Sequence, residues 1–254
     1  MPPERCLRVK KYCIIVAGGS GQRMRSALPK QFMLLDGRPV LMRTVERFYS
    51  FDPSIELIVV LPAAHQALWR RLVKEYSFTV RHTVAEGGAE RFHSVKAGLG
   101  KIIADQDAGK FPGESRTEEE NAGSVIRDCL VGIHDGVRPL VSHDTIWRCF
   151  ADAEEFGNAV PFIEPADSVR LLSGDGSLPH PRSEVRLIQT PQVFRCSLIT
   201  AAYDRPFDPS FTDDATVAEA AGISIHLTHG NRENIKITTP EDLVVANATM
   251  THLK

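Results

Sequence analysis

Apolar runs of strand length alternate with helical patterns along most of the chain, and that alternation restricts the fold more than any other feature. The strand candidates are Tyr12–Val16, Ile55–Leu61, Thr79–Val84, Leu130–His134 and Ala159–Ile163. Helix candidates stand between most of them: Val40–Tyr49 after Arg38-Pro39, then Ala64–Tyr76 and Arg91–Ala104. A further helix is capped by Ser142 and carries Ile146, Phe150 and Ala153 on one face. The pattern predicts an α/β sandwich, a mainly parallel sheet with helices on both sides. Such sheets bind ligands at the carboxyl ends of their strands.

The first strand ends at that edge in Ala17-Gly18-Gly19-Ser20-Gly21-Gln22-Arg23-Met24, with Pro29-Lys30-Gln31 close behind. Glycines let backbone N–H groups approach an anion without Cβ clashes. Arg23 and Lys30 add fixed positive charge where it can neutralise charge building on phosphorus. The loop is not a P-loop, because no Lys-Ser or Lys-Thr closes it, and it is not a dinucleotide fingerprint, because Met24 replaces the third glycine. It reads as a nucleoside triphosphate loop. Glu86-Gly87-Gly88 and His134-Asp135-Gly136 fall at the same edge.

The chain has 254 residues, 43% of them hydrophobic, which suits one α/β domain or one domain with an appendage. A net charge of −2 supplies no global basic field for nucleic acid, so local cations point to a small anionic ligand. No apolar run approaches the ~20 residues of a bilayer span. The basic Met1–Lys11 is not followed by a signal-type apolar region, and a soluble cytoplasmic protein is expected. Five cysteines, odd in number and without C-x-x-C, predict neither a disulfide framework nor a zinc site.

Two stretches break the alternation. Asp105–Ser124 is polar and acidic, and reads as a surface insertion without chemistry. Pro165–Glu184 reads as two strands around Ser173-Gly174-Asp175-Gly176-Ser177. A lone hairpin is marginal in water, so residues 165–186 form either a dimerisation arm or a hairpin packed on their own domain. Beyond it, Thr212 is placed as the cap of a helix through Asp213-Asp214, closed by Gly222. Strands are expected at Ile223–Leu227 and Asn234–Ile237, and a last helix at Thr239-Pro240-Glu241-Asp242.

An ordered set of motifs then resembles one family. The set is Ala17-Gly18-Gly19-Ser20-Gly21-x-Arg23-Met24, Pro29-Lys30-Gln31, Gly87-Gly88-Ala89-Glu90-Arg91-x-x-Ser94-Val95 and His134-Asp135-Gly136-Val137-Arg138-Pro139. Asp167-Ser168, Thr190-Pro191-Gln192, Thr212-Asp213-Asp214 and Asn234-Ile235-Lys236-Ile237-Thr238 follow. Over about residues 11–250 the chain is similar to the 2-C-methyl-D-erythritol 4-phosphate cytidylyltransferases of non-mevalonate isoprenoid synthesis. The resemblance implies a Rossmann-like domain with a β-arm interlocking a homodimer. It also implies transfer of cytidylyl from CTP to a sugar-alcohol phosphate with release of pyrophosphate, and a divalent metal, usually Mg²⁺.

The resemblance implies roles residue by residue. Arg23 and Lys30 stabilise the transition state at the α-phosphorus. Lys236 holds the incoming phosphate, and Arg182 reaches the same group from the neighbouring subunit. Thr212 contacts that phosphate or serves its helix cap alone. Asp135 binds substrate hydroxyls or stands near the metal, which is otherwise held by CTP phosphates; Arg138 orders the loop or binds the alcohol. Ala17, Gly18, Gly19, Ser20, Gly21, Gly88 and Ser94 surround the nucleotide, with Ser94 equally able to bond its own helix backbone. Ala89 stands where the family often has aspartate, and Ser168 where it has threonine, which keeps the hydroxyl for substrate contact across the dimer. A ribitol-5-phosphate cytidylyltransferase on the same scaffold and a non-catalytic nucleotide-sensing module are the alternatives.

Overall fold

The computed structural model describes residues 9–19, 28–108 and 129–252. The first half of the chain comprises β1 (Lys10–Val16), a 3-10 turn (Lys30–Phe32), the short β2 (Leu34–Leu35) and β3 (Arg38–Pro39), α1 (Val40–Phe51) and β4 (Glu56–Leu61). It continues with α2 (Ala63–Glu75), β5 (Thr83–Glu86), α3 (Arg91–Asp107), β6 (Cys129–Asp135) and α4 (His143–Phe156). The second half comprises β7 (Asn158–Ile163), β8 (Val169–Ser173), β9 (Gly176–His180), β10 (Leu187–Ile188), β11 (Gln192–Arg195), α5 (Cys196–Tyr203), α6 (Asp214–Ala220), β12 (Leu227–His229) and α7 (Pro240–His252).

The central sheet runs β10-β7-β11-β6-β1-β4-β5, with β12 added parallel to β7. β1 lies between β4 and β6, parallel to both, and Tyr12 through Ile15 are wholly buried. Only β10 and β11 run against their neighbours. The twofold side-chain period of strands sorts the core into two faces. Cys13, Ile15, Leu57, Val59 and Leu130 face one way and pack with Phe48, Trp69 and Phe150 from α1, α2 and α4. Tyr12, Ile14, Ile58, Val60 and Val131 face the other way and pack with Phe92, Leu99, Ile199 and Val217 from α3, α5 and α6. The result is three layers.

Local signals set the element ends. The Ser142 hydroxyl accepts from the Thr145 N–H at 3.1 Å and starts α4. Gly157 stops it at φ 89°, a left-handed conformation that favours glycine. α3 buries Phe92, Val95, Leu99 and Ile102 at helical spacing. It also lies unusually close to β1, because a Cβ on Gly98 would sit 2.7 Å from Ile14 Cγ2. A third, smaller core of Leu35, Val40, Val137, Leu140, Ile237 and Ala246 ties the loop after β6 to α7.

Several expectations need correction. The strand expected at Thr79–Val84 forms at Thr83–Glu86, in register with Ile58–Leu61. Residues 79–82 are irregular, and His82 instead joins Trp69 and Phe78 in an aromatic cluster in which the Trp69 indole N–H donates to His82 Nε2 at 3.1 Å. Thr212 does not cap α6; Asp213 does, in a reciprocal box with Thr216. Gly222 closes that helix at φ 81° as expected, but Ile223 still donates back to Ala218 O, so the strand begins later, at Leu227. Asn234–Ile237 is irregular, and the Ile237 N–H bonds to Val137 O. Of the acidic insertion expected at Asp105–Ser124, Asp105 to Asp107 belong to α3 and residues 109–124 lie outside the described residues. Cys129 and Cys196 form a disulfide, although no disulfide framework was expected. The antiparallel register Arg195↔Leu130 brings them together across 67 residues of sequence, which spacing alone does not reveal.

Among the described residues, β8 and β9 pair only with each other, from Val169↔His180 to Ser173↔Gly176. Leu171, Leu172 and Leu178 of this hairpin are exposed, Leu172 to 89%.

Candidate active site

The carboxyl ends of β1 and β6, with the loop that follows β5, open onto one cavity of about 350 Å³. Ala17, Gly18, Gly19, Lys30, Gly88, Ser94, Asp135 and Lys236 all line it. A second cavity of about 150 Å³ adjoins it, lined by Arg138, Thr190, Gln192, Thr212 and Asp213. Arg91, Asp135 and Lys236 border both. The larger chamber has the size of a small-ligand site at the edge where open α/β sheets bind ligands.

Each wall has a local cause. The Gln31 side chain is buried and donates to Ala17 O at 2.9 Å, which anchors the 3-10 turn under the end of β1. Its neighbour Lys30 is thereby laid along the glycines, and a Cβ on Gly19 would stand 3.4 Å from Lys30 Cε. On the opposite wall, Gly88 must be glycine: a Cβ there would meet His93 Cβ at 2.3 Å. That close approach brings the start of α3 to the cavity, with Ala89, Glu90, Arg91 and Ser94 on its lining. A helix amino terminus favours an anion. The Ser94 hydroxyl donates to Glu90 O at 3.2 Å, so it bonds its own helix backbone while facing the cavity.

Asp135 is the electrostatic centre. Its Oδ2 lies 3.1 Å from Lys236 Nζ and accepts from Arg138 Nε at 3.0 Å; its Oδ1 lies 3.9 Å from Arg91 Nε. Burial alone would raise the carboxyl pKa, but Lys236, Arg91 and Arg138 hold it well below the ordinary carboxylate range. Arg91 is fixed from behind by Asp214, which is wholly buried and takes both guanidinium ends at 2.7 and 2.6 Å. Burial opposes the charge on Arg91, and Asp214 more than restores it. The Tyr203 hydroxyl donates to the same carboxylate at 2.7 Å.

The turn that presents Asp135 and Arg138 is held by a buried polar relay. The Asp135 N–H donates to Thr190 Oγ1 at 3.1 Å, and His134 Nδ1 stands 3.0 Å from that oxygen. His134 Nε2 lies 3.0 Å from Arg138 O. Burial lowers the His134 pKa to about 4, so the ring is neutral near pH 7. A carbonyl can only accept, so Nε2 carries the proton and Nδ1 accepts from Thr190. Arg138 Nη1 also donates to Asn234 O at 2.7 Å, joining this turn to the segment that carries Lys236.

The structure thus brings Ala17, Gly18, Gly19, Lys30, Gly88, Ser94, Asp135, Arg138, Thr212 and Lys236 to two touching chambers. It does not bring Ser168 or Arg182 there: Ser168 is exposed on the arm, and Arg182 Nη1 donates to Ala166 O at 2.7 Å. Ser20, Gly21 and Arg23 lie outside the described residues. Sequence reasoning missed Arg91, His134, Thr190 and Asp214 as site components. All four stood inside quoted motifs, Arg91 beside Glu90, His134 beside Asp135, Thr190 before Pro191-Gln192 and Asp214 after Thr212-Asp213, but nothing in the motifs showed which groups they would pair with. Among the described residues, no group of three His, Cys, Asp or Glu side chains is arranged to hold a metal ion, and no helix is long and apolar enough to cross a membrane.

Known proteins resemble this arrangement over nearly the whole chain. The family model described as IspD, 2-C-methyl-D-erythritol 4-phosphate cytidylyltransferase, matches residues 12–111 and 113–252. A Bacteroides fragilis protein named 2-C-methyl-D-erythritol 4-phosphate cytidylyltransferase is 47% identical over 240 residues, covering 94% of this chain and 99% of its own. A Porphyromonas gingivalis protein of the same name is 42% identical over 247 residues, covering 96% and 100%. The crystal structure of a 4-diphosphocytidyl-2C-methyl-D-erythritol synthase from Anaerococcus prevotii superposes with a TM-score of 0.72 at 25% identity, covering 96% of this chain and 99% of that one. A Thermus thermophilus 2-C-methyl-D-erythritol 4-phosphate cytidylyltransferase superposes with a TM-score of 0.67 at 28% identity, covering 94% and 98%.

Proposed function

The chain belongs to the 2-C-methyl-D-erythritol 4-phosphate cytidylyltransferase family, and from that membership we propose that it transfers the cytidylyl group of CTP to 2-C-methyl-D-erythritol 4-phosphate. The products are 4-diphosphocytidyl-2-C-methyl-D-erythritol and pyrophosphate. The observation that carries the reading is the convergence of Lys30, Arg91, Arg138 and Lys236 on two adjoining chambers, with Asp135 between them.

A phosphate monoester is already a nucleophile at neutral pH, so the reaction needs no covalent intermediate. The obstacle is repulsion between two polyanions, and the remedy is positioning with charge neutralisation. CTP occupies the larger chamber, its base beside Ala17, Gly88 and Ser94 and its phosphates toward Lys30 and the glycines. The sugar-alcohol phosphate occupies the smaller chamber, with Lys236 and Thr212 on its phosphate. Its phosphate oxygen attacks the α-phosphorus in line, the bond to the β-phosphate breaks, and pyrophosphate departs. Lys30, with Arg23 by family pattern, meets the charge that grows on the α-phosphoryl oxygens. Asp135 holds Lys236 and Arg138 in place by ion pairing.

The donor set fits Mg²⁺ that arrives on the nucleotide. Asp135, which borders both chambers, is the carboxylate placed to ligate it, and Mg²⁺ in such sites takes its remaining ligands from substrate phosphates and water. Bound there, the ion neutralises part of the triphosphate charge. The exposed leucines of the arm fit a second copy of the chain, whose Arg182 and Ser168 would then complete the acceptor chamber.

The test mixes CTP, Mg²⁺ and 2-C-methyl-D-erythritol 4-phosphate with the wild type, Lys30→Ala and Lys236→Ala. Pyrophosphate release that depends on the acceptor is expected from the wild type. Each variant should lose about 10²–10³-fold in turnover while keeping its melting temperature. Ribitol 5-phosphate, run in parallel, should be a far poorer acceptor. Normal turnover in either variant would remove that residue's role, and equal turnover of ribitol 5-phosphate would overturn the acceptor assignment.

A further inference from the structure

Next to the Asp135–Arg138 turn, and sharing no lining residue with the two chambers, lies a separate cavity of about 210 Å³. One face of α1 supplies Arg43, Glu46, Arg47 and Ser50; Pro139 and Leu140 close a second side, and Met250 of α7 a third. Its walls therefore combine a charged strip with an apolar one.

The charges do not cancel. Glu46 is paired with Arg38 and lies 3.7 Å from Arg43, and Arg43 also pairs with Asp36 at 2.9 Å. Two arginines and two carboxylates thus balance. Arg47 is left over. Its Nε donates to Val141 O at 2.7 Å, and among the described residues no carboxylate pairs with its guanidinium. Burial, rather than a neighbouring charge, lowers its pKa. A half-buried guanidinium that spends one donor on a carbonyl and has no counter-ion beside an apolar wall is a poor structural element. It is a good anion receptor.

We propose that this cavity is a second ligand site, taking a small amphipathic anion. The anionic head engages Arg47, and a short hydrocarbon tail lies against Leu140 and Met250. The cavity is smaller than the roughly 300 Å³ at the lower end of drug-sized sites, so the ligand has only a handful of heavy atoms. Its position is informative. Leu140 packs in the small core with Val137, which lines the larger chamber, and with Ile237, the neighbour of Lys236. The Thr44 hydroxyl of α1 also bonds Gly136 O at 3.0 Å. A ligand here presses on the turn that presents Asp135 and Arg138.

His143 is a built-in reporter. Its Nε2 is 3.0 Å from Ser50 Oγ, and its pKa is lowered by burial and then by the charge on Arg47. The test titrates the whole protein with butyl phosphate, inorganic phosphate or butanol and follows the His143 ring resonance, identified by its loss in His143→Asn. Because the substrate chambers also attract phosphates, the series includes Lys236→Ala. A saturable shift with butyl phosphate is expected in the wild type and in Lys236→Ala. Inorganic phosphate and butanol should bind at least about tenfold more weakly, as should butyl phosphate to Arg47→Gln. Met250→Glu, which places a carboxylate at the rim and leaves Arg47 intact, should also abolish the shift. No saturable shift by about 10 mM, retention of the shift in Arg47→Gln, or its loss in Lys236→Ala would overturn the proposal. So would equally tight binding of inorganic phosphate, which would leave the apolar wall without a role.

Discussion

The Asp135 turn and the β8–β9 hairpin are built on opposite terms. At the turn every polar group is held by its own chain: Asp135 by Lys236, Arg138 and Arg91, Arg91 by Asp214, and His134 by Thr190 and the Arg138 carbonyl. At the hairpin, among the described residues, the strands pair only with each other, and Leu171, Leu172 and Leu178 face outward. The first region is complete within one subunit and rigid before substrate arrives, which is what electrostatic catalysis requires. The second is complete only when something covers it. The difference separates two kinds of region: the turn is pinned by contacts within one copy of the chain, whereas the hairpin, with Ser168 and Arg182 beside it, lies apart from the two chambers.

Three measurements break or sharpen that contrast. Arg91→Met should cost the most, about 3–5 kcal/mol in urea unfolding, because it strands the wholly buried Asp214 carboxylate. Arg91→Met with Asp214→Leu should recover most of that stability without recovering turnover. A loss below about 1 kcal/mol in the single variant would mean the turn is less tightly determined than its geometry indicates.

The second concerns pH. His134 is held at about 4 in the fold against an ordinary 6.5. Its folded value is depressed, so the unfolded chain takes up this proton first as pH falls. Its stabilising contribution is full above about pH 6.5 and is lost progressively toward pH 4, to a total of about 3 kcal/mol. Unfolding free energies at intervals across that window should slope accordingly and flatten in His134→Gln. Asp135, held far below the usual carboxylate range, stays ionised in the fold and adds to the slope only near the lower end of this window, where the unfolded carboxyl begins to take up a proton. An unchanged slope in His134→Gln would assign the pH dependence elsewhere.

The smallest effect belongs to the arm. Leu172→Asp should weaken self-association at least about tenfold by sedimentation, with monomer stability within about 0.5 kcal/mol of wild type. Undiminished association would show that this hairpin is not where two copies meet.

The sheet was legible because its strands are buried on both faces and read as unbroken apolar runs, as in Cys13–Val16 and Leu57–Leu61. What misled were segments whose pattern was right and whose partners were elsewhere. Thr79–Val84 alternates like a strand, but packing of Trp69, Phe78 and His82 holds its first half off the sheet. Thr212 has the right side chain for a cap, yet Asp213 is one residue nearer the helix and wins. At the site, the cations that line the chambers were visible in motifs, because their spacing from glycines and prolines is local. The pairings that hold those cations were not. Asp214 reaches Arg91 across 123 residues and Thr190 reaches His134 across 56, distances that only the folded topology closes.

Gly98 shows how a position remote from the chemistry can still govern it. In an isolated helix alanine would be preferred there by about 1 kcal/mol. The extra methyl, however, would land 2.7 Å from Ile14 Cγ2 and act as a wedge under the rod whose tip carries Arg91 and Ser94. Such a change should lower the melting temperature through overpacking and tilt the tip that borders both chambers. The glycine at this position gives up helix propensity in exchange for the close approach of the helix to the strand beneath it.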